Sequence, residues 1–163
     1  MKTSNTNRPF RLTELLIYIV GTELAGALSA LVSGGDLKGY YMTLEMPPFS
    51  PPPWVFPAAW GILYALMALG AYLISLNSHK LRRTALTLYL IQLAVNLAYA
   101  PVFFGLRSLE GGLLLSILLA VLVTMMTVTF LRVRRSAAAA VIPYLLWTYY
   151  AVYLSVGILS MAS

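Results

Sequence analysis

The sequence predicts an all-α membrane protein, a bundle of five transmembrane helices, from three observations. Of the 163 residues, 60% are hydrophobic and only 10% are charged, and the mean hydropathy is +0.82. Soluble domains carry about 25% charged residues, so a bilayer is the natural solvent for this chain. The apolar residues form five long runs, and basic residues collect in alternate segments between them. We expect a single membrane domain over residues 1–163.

Each of the five runs is long enough to cross a membrane, since about 20 helical residues span a hydrocarbon core of about 30 Å. The predicted spans cover residues 12–33, 54–77, 81–105, 111–131 and 137–161. A long first loop covers 34–53, and the later short connections make neighbouring helices antiparallel. The basic start and the small residues near Gly26 also permit a signal peptide, but Glu23 and the length of the first run favour a span.

The charges between the runs predict the topology. The N-terminal segment, the second loop and the fourth loop each carry +3, whereas the first loop carries −1 and the third carries zero. Basic segments stay on the cytoplasmic side, so we expect a cytoplasmic N-terminus and a non-cytoplasmic C-terminus. The membrane is expected to be that of a prokaryotic cell, with an organelle as the alternative. The basic residues are Lys2, Arg8 and Arg11; Lys80, Arg82 and Arg83; and Arg132, Arg134 and Arg135.

A proline-rich stretch, residues 47–57, joins the first loop to the second span and holds six of the nine prolines. Proline lacks a backbone donor and is tolerated in the first turn of a helix, so we expect Pro51 and Pro53 there. Ser50 precedes them and is the expected N-cap. This rigid segment would deliver Trp60 and Tyr64 into the membrane.

Three helices carry stripes of polar and aromatic side chains, because residues three or four apart share a helix face. Asparagine and glutamine are costly in lipid and should turn toward protein or a cavity. Two interpretations remain open: the stripes line one pocket closed by the proline loop, or they pack helix against helix. The stripes are Trp60, Tyr64 and Met67; Tyr89, Gln92, Asn96 and Tyr99; and Tyr144, Trp147, Tyr150, Ala151 and Leu154.

Glu23 lies near the middle of the first span, where an ionisable side chain is a candidate functional residue. The alternative is a protonated carboxyl bonded to Gln92, to Asn96 or to a neighbouring backbone. Residues Thr22, Gly26 and Ala30 form a stripe of small residues suited to close helix contact.

Several classes of function are excluded or disfavoured. The chain has no cysteine, which excludes disulfides, cysteine-ligated metals and thiol catalysis. Its one histidine, His79, falls in a short loop where we expect it to be solvated, so no metal site is predicted. There is no nucleophile–base pair or phosphate-binding glycine loop, and no basic face for nucleic acid.

Three motifs together resemble those of a known family. The first runs through the first loop and second span, the second through the third span and the third through the fifth. They read Tyr40-Tyr41-x-x-Leu44-x-x-Pro47-x-Phe49-x-Pro51-Pro52-x-Trp54-Val55-Phe56-Pro57-x-x-Trp60-x-x-Leu63-Tyr64, then Asn96-Leu97-Ala98-Tyr99-x-Pro101-Val102-Phe103-Phe104-Gly105, then Pro143-Tyr144-Leu145-Leu146-Trp147 with Ala151-x-Tyr153-Leu154. The sequence resembles the TspO/MBR family of translocator proteins, tryptophan-rich sensory proteins and peripheral-type benzodiazepine receptors.

The resemblance implies a five-helix bundle, usually a homodimer, with a ligand pocket beneath the first loop. Its members bind tetrapyrroles such as protoporphyrin IX, sterols or synthetic drugs, and some bacterial members are reported to promote light-dependent porphyrin breakdown. Trp60 and Trp147 would flank the ligand, and they are the pair associated with that reaction. By motif, the implied pocket residues are Tyr41, Pro51, Trp60, Asn96, Trp147 and Ala151.

The chain departs from the family pattern in its first loop. Tyr40 and Phe49 stand where the family often has tryptophan, and Met46 replaces a frequent lysine that would suit a propionate. No Lys or Arg follows Arg135, so the C-terminal sterol-recognition pattern is absent.

The leading functional hypothesis is a membrane receptor or carrier for a porphyrin-like tetrapyrrole or another large apolar molecule, with no cofactor required. One alternative is a porphyrin-degrading enzyme that uses light, oxygen and the residues Trp60 and Trp147. Another is a regulatory membrane homodimer without transport. The expected partners are the tetrapyrrole, membrane lipid and a second copy of the chain, and no nucleic acid.

Overall fold

The computed structural model describes residues 9–34 and 36–162, which form six α-helices and one π-helical turn. Within these residues there is no strand. The π-helical turn, Pro101–Gly105, continues α4 without a break. The helices are α1 Leu12–Val32, α2 Leu37–Thr43, α3 Val55–Ser75, α4 Arg82–Ala100, α5 Leu109–Val133 and α6 Arg135–Met161.

Five helices are long and apolar enough to cross a membrane, which confirms the predicted all-α fold of a multi-pass integral membrane protein. They are α1, α3, α4 with its π-helical turn, α5 and α6. The bounds differ from the predicted spans by a few residues. At α5 the Ser108 hydroxyl accepts from the Gly111 N–H at 3.1 Å, so the helix begins at Leu109 rather than at 111.

The first loop holds a short helix, α2, that the sequence analysis did not predict. The Asp36 side chain caps it by accepting from the Gly39 N–H at 2.9 Å. The start of α3 also differs from the prediction, because Trp54 is its N-cap and Pro51 and Pro53 both lie before the helix.

Ser50 is therefore not the N-cap of α3. Its hydroxyl donates to the Pro47 carbonyl at 2.7 Å and closes a turn within the loop. The first N–H groups of α3, those of Val55 and Phe56, bond back to the carbonyls of Pro52 and Pro53. Backbone carbonyls thus supply acceptors that a capping side chain would otherwise provide.

The five spans form a closed ring of helices. Helix α1 packs on α3, α3 on α6, α6 on α5 and α5 on α4, and α4 returns to α1 through a smaller contact. The Ser29 hydroxyl of α1 donates to the Leu97 carbonyl of α4 at 2.6 Å and so links these two helices. At the other end, the buried Tyr72 hydroxyl accepts from the Arg11 N–H at 2.6 Å and joins the start of α1 to α3.

The packed core fills the half of the bundle where α1 begins. Its residues come mainly from the second half of α3 and α5 and from the first half of α4 and α6, with Leu63 and Leu119 near the middle of their helices. The backbone approaches closely there: a Cβ on Gly70 would lie 2.8 Å from Val141. The core consists of Leu63, Met67, Ala71, Ile74, Ala85, Tyr89, Leu119, Val123, Met126, Phe130, Ala137, Ala138, Val141 and Tyr144. The opposite half, where α1 ends, is left for a cavity.

Candidate ligand-binding site

A cavity of about 480 Å³ occupies the half of the bundle where α1 ends. Small-molecule sites in proteins typically measure about 300–1,000 Å³ and are mostly apolar, so both size and lining suit a ligand. The lining residues are Gly26, Ser29 and Ala30 of α1; Leu37, Lys38 and Tyr41 of α2; Pro53, Trp54, Phe56, Pro57, Trp60 and Tyr64 before and along α3; Asn96, Tyr99, Ala100, Phe103 and Phe104 of α4 and its π-helical turn; and Trp147, Tyr150, Ala151, Leu154 and Ile158 of α6.

Two indole rings form a corner of the cavity. The centroids of Trp60 and Trp147 lie 6.3 Å apart with their planes at 79°. Phe56 meets Trp147 edge-on at 6.1 Å, and Tyr64 lies 5.3 Å from Trp60. Such edge-to-face contacts fix ring orientation. The two indoles therefore present their faces at a corner of the cavity, and the flanking of a ligand by Trp60 and Trp147 stays a prediction.

A chain of hydrogen bonds joins the cavity to the packed core. The Tyr64 hydroxyl donates to Asn96 Oδ1 at 2.8 Å, and Asn96 Nδ2 donates to the Tyr144 hydroxyl at 3.0 Å. Tyr144 in turn donates to Gln92 Oε1 at 2.7 Å, and Gln92 Nε2 contacts Met67 Sδ at 3.6 Å. The amides are satisfied by protein partners in a setting where an unpaired polar group is costly.

The predicted stripes divide between pocket and packing. Asn96 and Tyr99 line the cavity, whereas Gln92 is fully buried in the core and Tyr89 bonds Thr22 at 2.6 Å. On α6, Tyr144 lies in the core and the stripe from Trp147 onward lines the cavity. Each of the two open interpretations is therefore right for part of each stripe.

Hydroxyl groups of three tyrosines hold the proline loop, residues 47–53, which we call the lid. Tyr41 donates to the Pro51 carbonyl, Tyr150 to the Phe49 carbonyl and Tyr153 to the Pro48 carbonyl, each at 2.7 Å. Burial, and then the nearby Tyr150, raise the pKa of Tyr41 to about 12. The Tyr41 phenol is therefore protonated, and able to donate to the lid, at neutral pH.

Five of the six predicted pocket residues line the cavity: Tyr41, Trp60, Asn96, Trp147 and Ala151. Pro51 is not among the lining residues in the part of the chain that the structure describes. Its carbonyl instead accepts the Tyr41 hydroxyl, and Pro53 lines the cavity two residues later.

Sequence reasoning did not assign Lys38, Phe56, Phe103 or Phe104 to the site. The three phenylalanines stand in the quoted motifs, so position in a motif was the available signal. No signal in the sequence pointed to Lys38, because α2 was not predicted.

The alternative in which Glu23 bonds Gln92 or Asn96 is not what the structure shows, because both amides bond tyrosine hydroxyls instead. Glu23 is half-buried on α1 and makes no hydrogen bond with any described residue. The small-residue stripe of α1 faces inward. Gly26 lies against the Tyr64 ring, and Ala30 lines the cavity, so this stripe is used within one chain.

Comparison with known proteins identifies the family of this chain. The model of the TspO/MBR family matches residues 17–161, nearly the whole chain. The chain belongs to the TspO/MBR family.

Curated relatives within the TspO/MBR family come from bacteria and from animals. "Protein CrtK" of Rhodobacter capsulatus is 36% identical over 83% of this chain and 84% of its own length. "Tryptophan-rich sensory protein" of Cereibacter sphaeroides is 34% identical over 77% and 80%. "Translocator protein" of Bos taurus is 34% identical over 78% of each chain. The chain therefore shares the body of the TspO/MBR fold with proteins named for sensing and for translocation.

Proposed function

We propose that this TspO/MBR protein is a receptor or carrier that binds a large flat ring compound of the porphyrin class in the cavity beneath the lid. The observation that carries the proposal is the corner made by Trp60 and Trp147 in a cavity of about 480 Å³. An indole plane offers a flat ring a stacking surface, and each good aromatic pair adds about 0.5–1.5 kcal/mol beyond the area buried.

The names of the relatives support binding of a molecule that is sensed or moved, and a cavity beneath a lid serves either role. The bacterial relatives favour the cell membrane as the location. In this proposal lipid covers the outward face of the bundle, where side chains such as Ile17, Leu24 and Leu31 are exposed. The homodimer stays a prediction.

Binding of protoporphyrin IX to the purified protein in a neutral detergent tests the proposal. The affinity is measured from the porphyrin absorbance, because removing a tryptophan changes the protein fluorescence itself. We expect Trp60→Ala and Trp147→Ala each to weaken binding about tenfold, which corresponds to about 1.4 kcal/mol.

The matched control is Tyr149→Ala, two residues from Trp147 on α6 but exposed on the outside of the bundle. It should bind as the unchanged protein does. Helicity and gel-filtration profile establish that each variant is folded. Unchanged affinity in the double variant of Trp60 and Trp147 would contradict this site.

A further inference from the structure

The cavity lining contains a single formally charged side chain among the described residues, that of Lys38. All other lining residues are apolar, aromatic or neutral polar. Lys38 is exposed as well as part of the lining, which places this residue at the mouth of the cavity rather than in its depth. A lysine placed this way lays its apolar stem along the wall and keeps its charge at the water boundary.

Among the described residues, no carboxylate forms an ion pair with this cation. In the part of the chain that the structure describes, Lys38 makes no hydrogen bond or ion pair. Asp36, two residues away, uses Oδ1 to accept from the Gly39 N–H and caps α2. The Lys38 ammonium is thus available to an anion on a ligand.

A second cation lies just behind the cavity wall. The Arg107 guanidinium stands 5.2 Å above the Tyr40 ring, and that ring packs edge-on against Phe103 and Phe104, which line the cavity. Lys38 and Arg107 are therefore two cations near the cavity, in segments that also carry Asp36, Glu45 and Glu110, whereas the cavity interior is apolar.

We infer that Lys38 determines specificity: the cavity prefers a flat ring compound that carries a carboxylate at its edge over a neutral analogue of the same ring. The ring would lie against the indoles of Trp60 and Trp147 while the carboxylate meets the Lys38 ammonium at the mouth. The inference rests on the proposed function.

Two ligands with one ring system test it: protoporphyrin IX, with two carboxylates, and its dimethyl ester, with none. Affinities are measured in a neutral detergent for the unchanged protein, Lys38→Gln and Lys38→Arg. We expect Lys38→Gln to weaken binding of the acid about fivefold, the upper end for an exposed ion pair, and to leave ester binding unchanged. Lys38→Arg should keep the preference for the acid.

Lys80→Gln is the matched control, since Lys80 is also exposed but lies in the loop between α3 and α4, away from the cavity. It should alter neither affinity. Raising the salt from about 50 to 500 mM should weaken acid binding by the unchanged protein more than by Lys38→Gln, because salt screens exposed charges.

An equal loss for acid and ester in Lys38→Gln, or no loss for either, would overturn the role of Lys38 while leaving the proposed function intact. Failure of the unchanged protein to bind either ligand would overturn the proposed function and this inference together.

Discussion

At the scale of single residues, Asn96 links the ligand cavity to the packed core. It lines the cavity, is only 4% exposed, accepts from Tyr64 and donates to Tyr144. Tyr144 is fully buried, and its hydroxyl donates the next hydrogen bond of the network to Gln92. The side-chain amides of Asn96 and Gln92 both have hydrogen-bond partners in this network. The network therefore orients the Tyr64 ring, which lies against Trp60.

Replacement of Asn96 by leucine should therefore destabilise the protein. Asn96→Leu leaves the Tyr64 hydroxyl without its acceptor and removes a donor to Tyr144. Loss of one partner of a buried polar group costs about 1–3 kcal/mol, and we expect an effect of that order. Thermal unfolding in detergent measures it.

The control for Asn96 is Thr129→Val, which removes a hydroxyl that bonds only its own helix at an exposed position. Its unfolding should match that of the unchanged protein. If Asn96→Leu unfolded at the same midpoint temperature as the unchanged protein, the network would add nothing to stability.

At the scale of elements, α6 serves both as a wall of the cavity and as the anchor of the lid. Tyr150 and Tyr153 bond the lid carbonyls, and one turn later Gly157 lets Pro47 lie directly on the helix. A Cβ on Gly157 would stand 2.5 Å from Pro47, whose ring cannot bend away. The observed position of the lid thus requires a glycine at residue 157.

Substitution of this glycine should loosen the lid. In Gly157→Ala the new methyl group pushes Pro47 outward and draws the lid carbonyls from Tyr150 and Tyr153. We expect faster cleavage of the first loop at the exposed Glu45 by a glutamate-specific protease, and weaker porphyrin binding.

Gly21→Ala on α1 is the matched control, because a Cβ at Gly21 meets nothing within 4 Å. Its cleavage rate at Glu45 should not change. Equal rates in the two glycine variants would contradict the lid contact.

At the scale of the whole molecule, packed core and cavity occupy opposite halves of one helix ring. Methionine, aliphatic and alanine side chains, together with Tyr89, Phe130 and Tyr144, fill the half where α1 begins, and mainly aromatic side chains surround the space where α1 ends. The charge pattern predicts that the core half faces the cytoplasm and that the cavity and lid face the other side.

The absence of native cysteine makes that orientation testable, since each introduced cysteine is a unique label site. A membrane-impermeant maleimide should label Glu45→Cys, in the first loop, on intact cells. It should label Lys80→Cys, in the second loop, only after the membrane is opened. The reverse pattern would show that the N-terminus lies outside.

The sequence by itself determined the five spans, because an unbroken apolar run of helical length has few stable alternatives in a bilayer. It also determined that Trp60, Asn96 and Trp147 belong to helix faces that turn toward protein or a cavity, since amide and indole groups are poorly suited to lipid. These properties are local, being set by the side chains along one helix. The run of helices followed from them, whereas the set of pocket residues was implied by the motifs shared with the TspO/MBR family.

The tertiary structure alone decided how those faces are used. Gln92 and Asn96 have the same amide chemistry and lie one turn apart, yet one is in the core and the other lines the cavity. The 79° angle between the rings of Trp60 and Trp147, and the place of Lys38 at the mouth, depend on how separate helices meet. Such relations join residues far apart in the chain, and no local pattern encodes them.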